Sequence, residues 1–181
     1  MRKLIMKVNI KELLEEIFPP FPLGDNRSLL ECDFYDTHYG YFEQIDDDYI
    51  SAIGVSTEDL ILEYNFDWPE FYLKIGLEAA CSRSRPHEGI KTWKDVSYEY
   101  LYYFGQNCSY LSSEGFKFFL PAAFYYFLST DENKTYMDSF VFRLNSQWEK
   151  DQHVFDDDQK KFIIEFVIDH YKGYVSWIPE L

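Results

Sequence analysis

The sequence predicts a mainly α-helical protein that folds as an antiparallel helical bundle. Apolar residues recur at intervals of three and four along much of the chain, and polar capping residues precede several of these stretches. The connections between the stretches are short, about 5–10 residues, which favours helices that pack against their neighbours in sequence. We expect a single domain over residues 1–181, with an acidic N-terminal portion at 1–66 and a helical core at 67–181.

The composition supports a folded chain that needs neither disulfides nor metal for its stability. With 181 residues, 46% of them hydrophobic, the chain is long enough to bury a core. Three widely spaced cysteines, Cys32, Cys81 and Cys108, predict free thiols. The first residues resemble the start of a signal peptide, but Asn9 and Lys11 interrupt it, and no stretch reaches the about 20 apolar residues of a membrane helix. We therefore expect a soluble cytoplasmic protein.

The first 50 residues contain one clear helix and one ambiguous segment. Asn9 and Glu12 predict a capping box at the start of a short helix, which the prolines of residues 19–22 end. Residues 24–50 show partial alternation of apolar and polar side chains, which permits a short β-hairpin near residues 28–50. An ordered acidic loop fits the same residues, so both alternatives stay open.

Further helices follow from capping residues and apolar spacing. One short helix is predicted for residues 56–64, and the sequence of residues 67–70 starts another that runs to Ala79 and ends before Ser82. Thr92 and Asp95 predict the beginning of a helix that Gly105 ends.

The last 70 residues contain the strongest helical patterns. Ser112 or Ser113 caps a helix that is apolar nearly all round, so we expect it at the centre of the core, with Pro121 either kinking it or beginning a new helix. A stripe of four aromatic or aliphatic residues at intervals of four predicts the next helix; its members are Tyr136, Phe140, Leu144 and Trp148.

A last long helix should begin at Asp156 and Gln159 and end before Gly173, which is well placed for a left-handed conformation. We expect Val175, Trp177 and Ile178 to fold back onto the bundle.

The central segment resembles an uncharacterised bacterial protein family. The resemblance rests on residues 111–122, whose sequence is LSSEGFKFFLPA, and extends over about residues 92–170. It implies a later helix in which a glutamine precedes an apolar stretch, here residues 159–167. That family is a domain of unknown function, so the resemblance implies a helical core and no catalytic residue.

The negative charge of the chain is concentrated in one segment. The net charge is −15, and between Arg27 and Lys74 lie 46 residues with twelve Asp or Glu and no Lys or Arg. Such a concentration attracts cations and basic surfaces. Direct binding of nucleic acid is disfavoured, because basic residues are few and Arg83 and Arg85 form too small a patch to hold phosphates.

The motifs of the common enzyme and metal-site classes are missing from the sequence. The four histidines lack partners at zinc-ligand spacing, the aspartate triplets at 46–48 and 156–158 lack the pattern of an EF-hand, and no glycine-rich phosphate loop is present. A metal-binding protein or enzyme that uses His38 with Asp33, Asp36 and Glu43 remains an alternative. We expect no cofactor.

The sequence therefore favours a protein-binding role. Tyrosines mixed with carboxylates suit an interface that binds a basic protein, because aromatic rings anchor interfaces while acids steer association. We expect an immunity protein or antitoxin that neutralises a basic bacterial toxin, for instance a nuclease; a self-associating structural subunit is a further alternative. The predicted partner-binding residues are Glu31, Asp33, Asp36, Tyr39, Tyr41, Glu43, Asp46, Asp47, Asp48 and Tyr49.

Overall fold

The computed structural model of the protein describes residues 9–37, 68–82, 85–171 and 173. The chain divides into two compact units: the larger unit, Met1–Arg27 with Lys91–Leu181, and the smaller unit, Ser28–Ile90. The described residues form helices and no strand, which confirms the prediction of a mainly α fold. Neither unit boundary coincides with the boundary predicted between residues 66 and 67, and the predicted domain organisation stays a prediction.

Seven α-helices lie in the described ranges. They are α1 (Ile10–Ile17), α2 (Leu29–Thr37), α3 (Glu70–Ser82), α4 (Tyr98–Phe104), α5 (Ser113–Ser129), α6 (Thr135–Asp151) and α7 (Asp157–Tyr171). Short 3₁₀ helices cover Trp93–Asp95, Gly105–Tyr110 and Gln152–Val154. Helices α2 and α3 belong to the smaller unit, and the others form the bundle of the larger unit.

Helix α5 is the centre of the larger unit, as its apolar composition predicts. The Ser112 hydroxyl accepts a hydrogen bond from the Gly115 backbone N–H at 3.0 Å, which satisfies one of the orphan amides at the helix start. Pro121 lies inside the helix, which continues to Ser129. The buried rings of α5 contact both neighbouring helices: Phe116 stacks on Phe140 of α6, and Phe124 contacts Phe166 of α7.

The predicted ends of α1 and α7 are confirmed. Asn9 caps α1, with its side chain accepting from the Lys11 backbone N–H, which confirms Asn9 as the cap but not the predicted capping box with Glu12. At the start of α7, the Asp156 carboxylate accepts from the Gln159 backbone N–H at 2.9 Å while the Gln159 side chain accepts from the Asp156 N–H at 3.2 Å. Gly173 has φ +96°, the left-handed conformation that glycine adopts without strain.

The helix predicted from Thr92 to Gly105 is two elements. Thr92 and Asp95 do form a capping box, but the helix that it begins is the 3₁₀ helix Trp93–Asp95. Val96 is extended, and α4 begins only after Ser97, whose hydroxyl accepts from the Tyr100 N–H. A second capping residue, five positions after the first, therefore divides the segment.

The β-hairpin considered for residues 28–50 is wrong for Leu29–Thr37, which is helix α2. The physical reason is a capping box of the Ser-x-x-Glu type. The Ser28 backbone N–H donates to Glu31 Oε2 at 2.7 Å, and the Glu31 N–H donates to Ser28 Oγ at 3.2 Å. Residues 38–50, the helix predicted at 56–64 and the predicted tail at 175–178 lie outside the described residues.

Candidate functional site

The smaller unit carries most of the net charge of the protein. Ser28–Ile90 contains fourteen acidic and three basic residues, a net charge of −11, whereas the rest of the chain carries −4. The acidic segment that stands out in the sequence thus falls within one compact unit. A field of one sign over a single unit directs association with cationic partners toward that unit.

Two of the predicted partner-binding carboxylates are part of the interior of this unit. Glu31 is buried, and its carboxylate accepts from Arg85 Nη2 at 2.8 Å and from Arg85 Nε at 3.1 Å. Asp33 is also buried. The sequence predicts exposed contact residues at both positions, whereas the structure uses Glu31 to cap α2 and to hold Arg85. Their burial separates Glu31 and Asp33 from any exposed acidic surface.

Asp36 is the predicted site residue that the structure exposes, near the end of α2. The remaining members of the predicted site lie outside the described residues: Tyr39, Tyr41, Glu43, Asp46, Asp47, Asp48 and Tyr49. His38, the centre of the alternative metal site, lies outside them as well. Among the residues that are described, no group of three potential metal-ligating side chains occurs.

Helix α3 adds exposed residues that sequence reasoning did not include in the site. Phe71 is 60% exposed, next to the exposed Glu70 in the first turn of the helix. One turn further lie Lys74 and Glu78, an exposed pair at 3.8 Å. A large apolar ring among carboxylates is typical of an interface anchor surrounded by steering charges. Nothing local in the sequence marks Phe71 as exposed, because adjacent residues of a helix lie about 100° apart and both can fit one apolar face.

The cysteines described in the structure are poor candidates for reactive groups. Cys32 and Cys108 are free and buried. Burial raises the pKa of the Cys108 thiol to about 12, so the nucleophilic thiolate is scarce at neutral pH. The prediction of free, buried thiols is confirmed for these two residues.

The His170 side chain of α7 packs against two aromatic rings. The His170 ring lies 4.9 Å from the Phe166 ring and 5.1 Å from the Phe127 ring, centroid to centroid. The His170 ring thus flanks the aromatic core at the end of α7 and is exposed on its other side.

A buried ion pair in the larger unit has the residue types of a catalytic site, but its contacts are structural. Arg143 and Asp151 are 0% and 1% exposed, and the two side chains lie 2.8 Å apart. The remaining donors of Arg143 bind backbone carbonyls, and Ser113 Oγ donates to Asp151 Oδ1 at 2.7 Å. With these groups satisfied by one another, the pair stabilises the bundle and presents no reactive atom to a substrate.

Comparison of the chain with models of protein families, with curated proteins and with solved structures found no match in any of the three. The resemblance of residues 92–170 to a bacterial family thus stays a prediction. No helix in the described part of the chain is both long and apolar enough to cross a membrane.

Proposed function

We propose that this protein is an inhibitor that binds and neutralises a basic partner protein, in the manner of an immunity protein or antitoxin against a bacterial toxin. The observation that carries the proposal is the net charge of −11 on the compact unit Ser28–Ile90. A positively charged active site, such as that of a nuclease, is the surface such a unit complements best.

The charge distribution supports fast, steered association. A surface of one sign raises the rate of encounter with an oppositely charged partner by about 10–10³-fold at low salt. The exposed ring of Phe71 supplies an apolar contact of the kind that slows dissociation once the partner is bound. In this proposal the acidic unit speeds association, and the Phe71 ring adds affinity.

The test begins with the product of the gene that neighbours this one in its own genome. That protein should be toxic when expressed alone, and co-expression of the full chain should restore growth. With the two purified proteins, the association rate should fall by about 10-fold or more as salt is raised from about 0.01 M to about 1 M, because the screening length shrinks from about 30 Å to about 3 Å. An association rate that does not change with salt would contradict the steering mechanism.

Two matched triple variants locate the binding surface. D46N/D47N/D48N removes three charges from the acidic segment, and E16Q/E149Q/E165Q removes three exposed charges from the larger unit. The first should slow association several-fold, and the second should leave it within about twofold of the wild type, because the proposal places the contact on the smaller unit and charges outside the contact are screened by salt. Equal effects of the two variants would show that only the total charge matters.

The alternative functions give different results on the purified protein. Stoichiometric zinc, manganese or iron in the isolated chain would favour the metal site around His38 and overturn the proposal. A stable oligomer in light scattering, with no second protein present, would favour a self-associating subunit. Failure of co-expression to restore growth would remove the toxin-neutralising role while leaving the fold unaffected.

A further inference from the structure

A groove with a volume of about 730 Å³ lies on the surface of the larger unit, away from the acidic segment in sequence. Helix α6 contributes most of its lining, the 3₁₀ helix Gly105–Tyr110 contributes Gln106 and Ser109, and the end of α7 contributes His170 and Tyr171. The size is within the range of about 300–1,000 Å³ that is usual for binding pockets. All three elements belong to the larger unit, so the groove lies within a single compact unit.

The charge of the groove selects its ligand. Asp138 lines it and is exposed, and among the described residues that line it there is no Lys or Arg, with His170 as the other titratable group besides Tyr171. The Tyr171 hydroxyl donates to Asp138 Oδ1 at 3.3 Å, which holds the carboxylate in place. A cation is attracted to this carboxylate, whereas an anionic ligand would be repelled by it.

Apolar and hydrogen-bonding side chains lie further along the same groove. Phe142 is 64% exposed, four residues after Asp138 and on the same face of α6. The side-chain amides of Gln106 and Asn145 line the groove as well, and each amide offers both a donor and an acceptor. This combination of donor and acceptor matches the hydrogen-bonding groups of a peptide main chain.

The length of the groove fits a short peptide. Asp138 and Asn145 are seven residues apart on α6, which corresponds to about 10 Å along the helix axis at about 1.5 Å per residue. An extended peptide rises about 3.3 Å per residue, so about three residues span this distance.

We propose that the groove binds a short, extended, basic segment of another protein. A lysine or arginine of the segment pairs with Asp138, the next apolar side chain packs on Phe142, and main-chain amides bond with the amides of Gln106 and Asn145. The site is separate from the acidic unit of the proposed function, and neither proposal depends on the other.

The test uses the full chain, labelled with ¹⁵N, and a capped tetrapeptide of alternating leucine and lysine. The side-chain amide signals of Gln106 and Asn145 should shift and saturate as the peptide is added. The D138N and F142A variants should each weaken this binding by about 10-fold, since each removes a central contact. Both positions are exposed, so unchanged melting temperatures would show that the variants fold.

Matched controls separate this site from general attraction to an acidic protein. E149Q removes an exposed carboxylate from the same helix without being part of the groove, and Y102A removes a ring that is 48% exposed on α4 and lies outside the groove. Both should bind the peptide like the wild type. If E149Q weakens binding as much as D138N, or if the shifts are confined to residues outside the groove, the proposal is wrong.

Two further measurements identify the occupant. A tetrapeptide of leucine and glutamate should not bind, and lysinamide alone should bind at least about 10-fold more weakly than the leucine–lysine peptide, because it lacks the apolar and main-chain contacts. Equal binding of lysinamide would mean that the groove takes a small amine. Tighter peptide binding by W177A would mean that the chain's own C-terminal residues occupy it, and would also overturn the proposal.

Discussion

Each unit of this protein contains an arginine that binds a carboxylate through two nitrogens, and the two pairs differ mainly in burial. In the larger unit, Arg143 and Asp151 are 0% and 1% exposed. In the smaller unit, Arg85 is 43% exposed and its partner Glu31 is 8% exposed. Both groups of the first pair are thus shielded from water, whereas in the second pair the carboxylate is buried and the arginine reaches solvent. The comparison shows how burial, rather than the presence of a pair, sets its energetic role.

The pair of the larger unit organises a loop of the fold. Arg143 donates to Asp151 through Nε at 2.8 Å and Nη2 at 3.1 Å, and its other N–H groups bind the carbonyls of Cys108, Leu111 and Ser112. These carbonyls lie in and just after the 3₁₀ helix Gly105–Tyr110, and those of Cys108 and Ser112 also accept the backbone N–H groups of Leu111 and Phe116. The Arg143 Cζ atom also lies 4.4 Å from the centroid of the Phe116 ring. All five N–H donors of an arginine are thereby used.

The largest effect should come from breaking the buried pair. D151A leaves the Arg143 charge buried without its counterion, which costs about 3–5 kcal/mol of unfolding free energy. Urea unfolding followed by circular dichroism measures the loss. E149Q on the same helix is the control and should change stability by less than about 0.5 kcal/mol, because that carboxylate is exposed. A D151A cost near that of the control would show that burial does not set the role of the pair.

A second comparison concerns glycines that let helices approach closely. In the smaller unit, a Cβ on Gly76 of α3 would overlap the Phe34 ring and lie 3.1 Å from Trp68. G76A should therefore cost about 1–3 kcal/mol of unfolding free energy through overpacking. Combining it with F34L, which makes room, should recover part of the cost; strict additivity of the two changes would contradict the steric cause.

The matching position in the larger unit is Gly105, where a Cβ would lie 2.9 Å from Tyr136 Cβ. That contact involves an atom next to the backbone of α6, which cannot rotate away. We expect G105A to cost about 1–3 kcal/mol of unfolding free energy as well. Adding Y136A, which keeps the Cβ, should recover little of this cost. Thermal unfolding of the single and double variants checks this difference between the units.

The larger unit also contains a polar atom that burial penalises. Among the residues that the structure describes, the buried Tyr136 hydroxyl has no hydrogen-bond partner, and burial raises the pKa of this phenol, which therefore stays neutral. Y136F should stabilise the protein by about 1 kcal/mol, because an unsatisfied buried group is costly. Y126F is the matched control and should destabilise the protein, because the Tyr126 hydroxyl donates to the Val96 carbonyl at 3.1 Å. Destabilisation by Y136F would reveal a partner for this hydroxyl.

The partly exposed pair of the smaller unit should contribute less. R85A removes a partly exposed arginine from Glu31, which keeps its hydrogen bond with the Ser28 N–H. We expect a loss of about 0.5–1 kcal/mol, well below that of D151A, and a loss that shrinks at high salt because solvent and ions screen the pair. A cost equal to that of D151A would mean that the two pairs do not differ in the way their burial indicates.

The smallest effect should come from an exposed cap and should depend on pH. The backbone N–H of Thr92, which donates to Asp95 Oδ2 at 2.8 Å, is the main cause that lowers the pKa of Asp95 below its ordinary value. The stabilisation by the ionised carboxylate is therefore complete above the unfolded-state value of about 3.9 and is lost as the pH falls through the lower folded-state value. The difference in urea midpoint between wild type and D95N should be larger at pH of about 6 than at pH of about 2.5. A difference that does not change with pH would contradict this assignment.

The sequence by itself determined the mainly α fold, because apolar spacing and caps are local properties. Ser112, Asp156, Gln159 and Gly173 do in the structure what their local patterns predict. The same local reasoning should have found α2, since the Ser-x-x-Glu pattern at 28–31 is a capping signal; the aromatic alternation that follows it suggested strands instead.

Only the tertiary structure decided which charges are available to a partner. Glu31 and Asp36 look alike in an acidic run, but the fold places Arg85, 54 residues away, against Glu31 and leaves Asp36 exposed. In the same way, Arg143 lies in an apolar stripe, and its role depends on carbonyls 31 to 35 residues earlier in the chain. A charge acts through what surrounds it in space, because burial and distance set its energy, and neither quantity follows from its neighbours in sequence.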